Sequence, residues 1–128
     1  MKLFKLIACL IFLSTFSFGQ VFVGGLDINS ADSIKIVEVY VNRRALRNIV
    51  HVSVDFGQRD NLNAMSIGNR SDDMLILEPE TKKRMVFTST AAVLNFFERN
   101  GWKYINGFAD NTPDKAGYYY HFRKRQIK

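Results

Sequence analysis

Two runs of β-branched residues, Ile34 to Asn42 and Ile49 to Phe56, constrain what this chain can fold into more than any other feature. Each alternates apolar and polar residues with period two, the mark of a strand with one face buried and the other wet. Val37, Val39 and Val41 share one face of the first run, and Val50, Val52, Val54 and Phe56 share one face of the second. The polar link Arg43 to Asn48 is short enough for a hairpin. An antiparallel register with both valine rows on one side pairs Val41 with Val50 and Val37 with Val54. It also sets Tyr40 opposite His51 and Glu38 opposite Ser53 on the other side.

A valine-lined sheet face needs a cover, and one segment is built to supply it. Ser89, or alternatively Thr88, is placed to cap a helix through Ala91, Ala92, Val93, Leu94, Phe96 and Phe97, with Asn95, Glu98 and Arg99 on its wet side. Asn100-Gly101 supplies a left-handed stop. Met74 to Leu77 and Arg84 to Phe87, flanking Glu78 to Lys83, read as a second, shorter hairpin, whereas Gly57 to Asp73 is a polar loop of the length associated with function or mobility. Trp102 to Ala109 and Gly117 to Arg123 are the last two strands, joined by the turn-rich Asp110 to Lys115. The expected fold is α+β: an antiparallel sheet of four to six strands in β-β-β-β-α-β-β order, with one helix packed on one face.

The first residues predict a compartment. Lys2 and Lys5 precede an apolar run, Leu6 to Phe18, that ends in Ser17-Phe18-Gly19, the n-region, h-region and small-residue cleavage site of a secretory signal. The run is short of the roughly 20 apolar residues that a membrane span needs. Leu6-Ile7-Ala8-Cys9 also fits a lipid-modified cysteine, although the apolar run continues well past it. The expected organisation is a signal peptide over residues 1–19, an N-terminal extension over 20–33, one α+β domain over 34–125 and a basic tail end over 126–128. Cys9 is the only cysteine, so an exported mature chain holds together by its core rather than by disulfides. Periplasmic or extracellular localisation follows from this reading, with no transmembrane segment in the mature chain.

The net charge of +6 falls to +4 without Lys2 and Lys5, and Arg123, Lys124, Arg125 and Lys128 account for all of it. Such a terminus attracts anionic partners or serves only as a solvated end. Arg43, Arg44 and Arg47 at the first hairpin's tip allow the same two readings. Nucleic acid is disfavoured as a partner, because stacking aromatics must share a face with phosphate-binding cations and strand parity splits Tyr118 to Arg125 between two faces.

Leu94-Asn95-Phe96-Phe97-Glu98-Arg99-Asn100-Gly101-Trp102, the later Tyr119-Tyr120-His121-Phe122-Arg123-Lys124, and Asp55-Phe56-Gly57-Gln58 together resemble a group of short exported proteins from Bacteroidetes-type bacteria that have no assigned function. More distantly, the helix-Gly-Trp-strand-aromatic-strand pattern is similar to a small bacterial domain of unknown function. The resemblance spans residues 34–124 and implies a fold and export; it brings no catalytic residues with it.

His51, Asp55 and His121 are the residues from which a metal or general-base site could be assembled, and a small periplasmic metal-dependent or hydrolytic protein built on them is the alternative reading. Asp55-Phe56-Gly57 matches the magnesium triplet of kinases but lacks the phosphate loop and paired lysine, so it reads as a strand end. Asn69-Arg70-Ser71 is a glycosylation sequon, relevant only in a eukaryotic secretory pathway. An enzyme is disfavoured, and no cofactor or metal is expected. The favoured reading is a small binding or interaction module whose open sheet face carries Tyr40, His51, Ser53, Asp55, Tyr119, His121 and Arg123. Its expected partner is a cell-envelope component or another exported protein.

Overall fold

The computed structural model describes residues 19–43, 48–58, 72–113 and 116–126. The expected signal peptide up to residue 18, Cys9, Arg44, Arg47 and most of the 57–73 loop lie outside the described residues. In chain order the elements are β1 (Phe22–Val23), β2 (Leu26–Asp27), β3 (Ile36–Arg43), β4 (Val50–Asp55), a 3-10 turn (Asp72–Met74), β5 (Ile76–Leu77), α1 (Thr90–Arg99), β6 (Trp102–Asp110) and β7 (Gly117–Lys124). They form an α+β structure with two antiparallel sheets, a four-stranded one ordered β4-β3-β7-β6 and a small three-stranded one ordered β2-β1-β5.

The valine rows of β3 and β4 are buried together as their alternation demands. Their register differs from the expected one by two residues: Val41 faces Val52, Tyr40 faces Ser53, Glu38 faces Asp55, and β3 runs on until Arg43 faces Val50. A slip of two keeps every side chain on its face, so the apolar pattern fixes the face and leaves the register open.

β4 and β6 lie at opposite edges of the larger sheet, so the chain between them must cross it, and α1 makes the crossing over the valine side. Ser89 is extended (φ −151°) and its Oγ accepts the Ala92 N–H at 3.1 Å. At the other end, Asn100 donates its side-chain amide to the Phe96 carbonyl at 2.7 Å, and Gly101 turns the chain at φ +89°. Val93 and Phe97 are fully buried, and the Phe97 ring stacks on Phe122 of β7 at 4.8 Å between centroids.

Residues 20–33, expected as an extension ahead of a domain starting near Ile34, belong to the core: Val21, Val23 and Ile28 are fully buried with the valine rows. Their strand β1 takes β5 as a partner, and the expected second hairpin changes accordingly. Its turn closes through Glu78 N–H to the Lys83 carbonyl (2.8 Å), but the returning arm makes only isolated bridges, Arg84 to Leu77 and Phe87 to Val50. Gly24 permits the close approach: at φ +60°, a Cβ there would sit 2.5 Å from the Asp73 carbonyl oxygen.

Asn29 fastens this segment to the helix and sheet. Its Oδ1 accepts the Trp102 indole N–H at 2.6 Å, and its amide donates to the Asn100 carbonyl at 2.9 Å. Lys124 donates to the carbonyls of Asn29 (3.2 Å) and Ala31 (2.7 Å) with its ammonium above the Trp102 ring.

Candidate functional site

Cross-strand pairing defines what the larger sheet presents on the side away from α1. A β-bulge between Tyr104 and Asn106 inverts the parity of β6, so Lys103, Asn106, Phe108 and Asp110 all share the side that carries Arg123, His121, Tyr119 and Gly117 of β7. Two rows result. One runs Asp55, Glu38, His121, Asn106, and the other Ser53, Tyr40, Tyr119, Phe108. In the polar row, His121 Nε2 donates to Glu38 Oε2 at 2.7 Å and Nδ1 stands 2.7 Å from Asn106 Oδ1. In the aromatic row, Tyr119 lies between Tyr40 (4.9 Å) and the parallel Phe108 ring (5.1 Å).

The seven residues expected on this side occupy it, but they do not all face solvent. Tyr40 is only 5% exposed and Ser53 3%, which removes both from a surface that meets a partner. The Tyr40 ring lies so close on Gly117 that a Cβ there would be 2.5 Å away, and its hydroxyl accepts from Asn42 at 3.2 Å. His51 Nδ1 accepts from the Arg84 guanidinium at 3.1 Å, and Asp55 Oδ1 accepts the Gly57 N–H at 2.7 Å, so both close local structure. Tyr119 and His121 are half-buried and Arg123 is exposed.

The fold does not gather His51, Asp55 and His121. Glu38 stands between Asp55 and His121, which puts those two strands about 10 Å apart, and His51 lies four residues along β4 from Asp55, about 13 Å. Among the described residues no group of three or more His, Cys, Asp or Glu is placed to hold a metal ion.

The C-terminal basic residues are also not a loose cluster. Lys124 points inward, and burial lowers its pKa below the usual lysine range. Arg125 pairs with Glu98 and donates its backbone N–H to the Gly101 carbonyl. Lys124 and Arg125 are therefore cations tied into the fold, whereas Arg123 is exposed.

The exposed surface that sequence reasoning missed is the outer edge of β6. Every residue from Lys103 to Ala109 is exposed, and Tyr104, Ile105, Phe108 and Tyr118 of the β6–β7 hairpin are four of the seven large apolar side chains exposed among the described residues. Backbone direction follows from two bonds: Arg125 N–H reaches Gly101 of the β6 side, whereas Lys124 N–H reaches Lys35 of the β3 side. Alternate residues of an antiparallel strand address opposite neighbours, so odd-numbered β7 residues bond to β6 and even-numbered ones to β3. The β6 residues opposite even-numbered partners, Trp102, Tyr104, Gly107 and Ala109, therefore turn their N–H and C=O outward.

At Tyr104 that outward N–H is taken by Glu98 of α1, whose Oε1 accepts it at 2.9 Å. This bond, reinforced by Arg125, holds the Glu98 carboxyl below the usual glutamate range despite an opposing desolvation cost. Beyond the bulge no such cover exists among the described residues. Gly107 and Ala109 face outward with no charged or proline residue between Tyr104 and Ala109, and no described strand lies outside β6. The Tyr120 ring covers Gly107 so closely that a Cβ there would lie 2.7 Å from it. The sequence cue was the uncharged run Tyr104 to Ala109, but only the strand order shows that it lies on an edge.

No protein-family model, curated protein or solved structure matches the chain. The chemistry of the site is accordingly read from its own geometry.

Proposed function

We propose that the protein is an exported interaction module that binds an extended polypeptide strand along the distal edge of β6. An open edge offers a ready row of donors and acceptors, and native proteins ordinarily blunt such edges with charge, proline or a covering element. Here Glu98 blunts the proximal edge, while Gly107 and Ala109 are left outward on the distal edge. That contrast is the observation that carries the reading. Strand addition draws affinity from main-chain bonds and specificity from flanking side chains. Phe108, Tyr119, His121 and Arg123 line one flank, and Tyr118, Tyr120 and Tyr104 line the other. The leader pattern of residues 1–19 supports an exported setting, in which the partner is a cell-envelope component or another exported protein.

The test is a set of uncharged and mixed decapeptides titrated against the isotope-labelled chain, with backbone amides followed by NMR. Binding peptides shift Gly107 and Ala109, and Ala109→Pro, which deletes one outward N–H, abolishes their binding. Peptides that bind without moving these two amides, or that bind Ala109→Pro equally well, would contradict the proposal.

A further inference from the structure

We infer that the strand added to β6 is the β6 strand of a second copy of this chain, paired antiparallel about a two-fold axis through Phe108. This rests on the strand-addition reading and names its occupant. A two-fold interface requires one surface patch to be complementary to itself, and the free part of β6 meets that requirement at each position. With Phe108 opposite Phe108, Gly107 of each copy faces Ala109 of the other. These are the residues whose N–H and C=O turn outward, so two reciprocal pairs of hydrogen bonds form with no frustrated group.

Side chains agree with this register. In this register Asn106 of each copy comes opposite Asp110 of the other, a neutral amide facing a carboxylate rather than a like charge. Lys103 and Arg123 make the proximal end of this side basic, while Asp110 makes the distal end acidic, and antiparallel pairing lays the acidic end of one copy toward the basic end of the other. Opposite charges on facing strands favour the pairing, and a parallel arrangement would set like against like. On the helix side the small Gly107 and Ala109 meet, which leaves room for the Tyr118 and Tyr120 rings beside them. The 51%-exposed Phe108 ring is covered by its own counterpart.

Glu98 fixes where the pairing ends. It occupies the Tyr104 N–H, so the intermolecular ladder is confined to Asn106 through Asp110. A register centred on Gly107 would instead set Tyr104 against Ala109 of the second copy and compete with this bond. The interface is therefore a short ladder with an aromatic centre, in the size range of weak, concentration-dependent association.

The experiment joins mass and proximity. Residues in a non-hydrogen-bonded antiparallel pair have Cα atoms about 4.5 Å apart, within the roughly 4.4–6.8 Å that a disulfide spans. In a Cys9→Ser background, Phe108→Cys is expected to form an interchain disulfide on mild oxidation, whereas Asn106→Cys, some four residues from its own counterpart, is not. Sedimentation of the unmodified chain is expected to show its mass doubling with concentration, and Ala109→Pro to remain monomeric with an unchanged circular dichroism spectrum. If Ala109→Pro fails to fold, Phe108→Asp, which puts two like charges on the axis, replaces it and is expected to be monomeric. A chain that stays monomeric at every concentration overturns the inference, as does a dimer that cross-links through Asn106→Cys and not through Phe108→Cys. A monomer whose Gly107 and Ala109 amides still respond to added peptide overturns only the second copy and leaves strand addition standing.

Discussion

The two halves of the β6–β7 hairpin are built from the same pair of strands and meet opposite fates. In the proximal half, Trp102 and Phe122 are fully buried beneath α1, and the outer backbone at Tyr104 is closed by Glu98. In the distal half, Phe108 and Tyr118 are about half exposed, and Gly107 and Ala109 turn their backbone to the open side. The bulge at Tyr104/Asn106 marks the boundary between them. The contrast teaches that pairing within a hairpin does not decide whether its outer edge is available. That depends on what the neighbouring helix places against it, and α1 ends at Arg99, where Glu98 reaches one N–H and no further.

Substitutions in the two halves should separate stability from association. Trp102→Ala attacks the closed half most severely, removing a fully buried indole that also holds Asn29. Chemical denaturation is expected to show a loss of about 3–5 kcal/mol. Asn29→Ala keeps the indole but leaves its N–H and the Asn100 carbonyl without this partner, at an expected cost of about 1–3 kcal/mol in the same assay.

Glu98→Gln tests the boundary itself. The Glu98 pKa is lowered on folding, so its contribution is present above the unfolded glutamate value of about 4.3 and is lost as pH falls through the lower folded value. Removing the charge is expected to cost less than about 1 kcal/mol at neutral pH, because the side chain is partly exposed, and to flatten the acid limb of a pH-dependent melting series. Ala109→Pro belongs to the open half and removes an N–H that bonds to nothing in β7, so the monomer's stability should move by no more than about 0.5 kcal/mol. A large destabilisation by Ala109→Pro would show that the distal edge is closed after all.

Much of the frame was legible in the sequence because single side chains dictate it. The valine alternation fixed which faces of β3 and β4 are buried, Ser89 fixed the start of α1, and Asn100-Gly101 fixed its stop. The register of β3 against β4 was not legible, since a slip of two leaves the apolar pattern unchanged. Neither was the role of residues 20–33, because Val21, Val23 and Ile28 are separated by glycines and polar residues and acquire their core positions only when β1 meets β5. For the site, parity placed Tyr119, His121 and Arg123 on the side away from α1, as read from the sequence. It could not show that the Tyr40 ring folds down onto Gly117 or that Ser53 is covered. The bulge at Tyr104/Asn106 carries no residue signature, yet it is what turns Phe108 toward Tyr119.

Amide hydrogen exchange at Tyr104, Gly107 and Ala109, measured across a dilution series, reads the difference between the two halves most directly. Tyr104 is expected to be protected at every concentration by Glu98, while Gly107 and Ala109 exchange freely in dilute protein and become protected as concentration rises. Gly107 and Ala109 protected even at the highest dilution, or Tyr104 exchanging as fast as they do, would contradict the account.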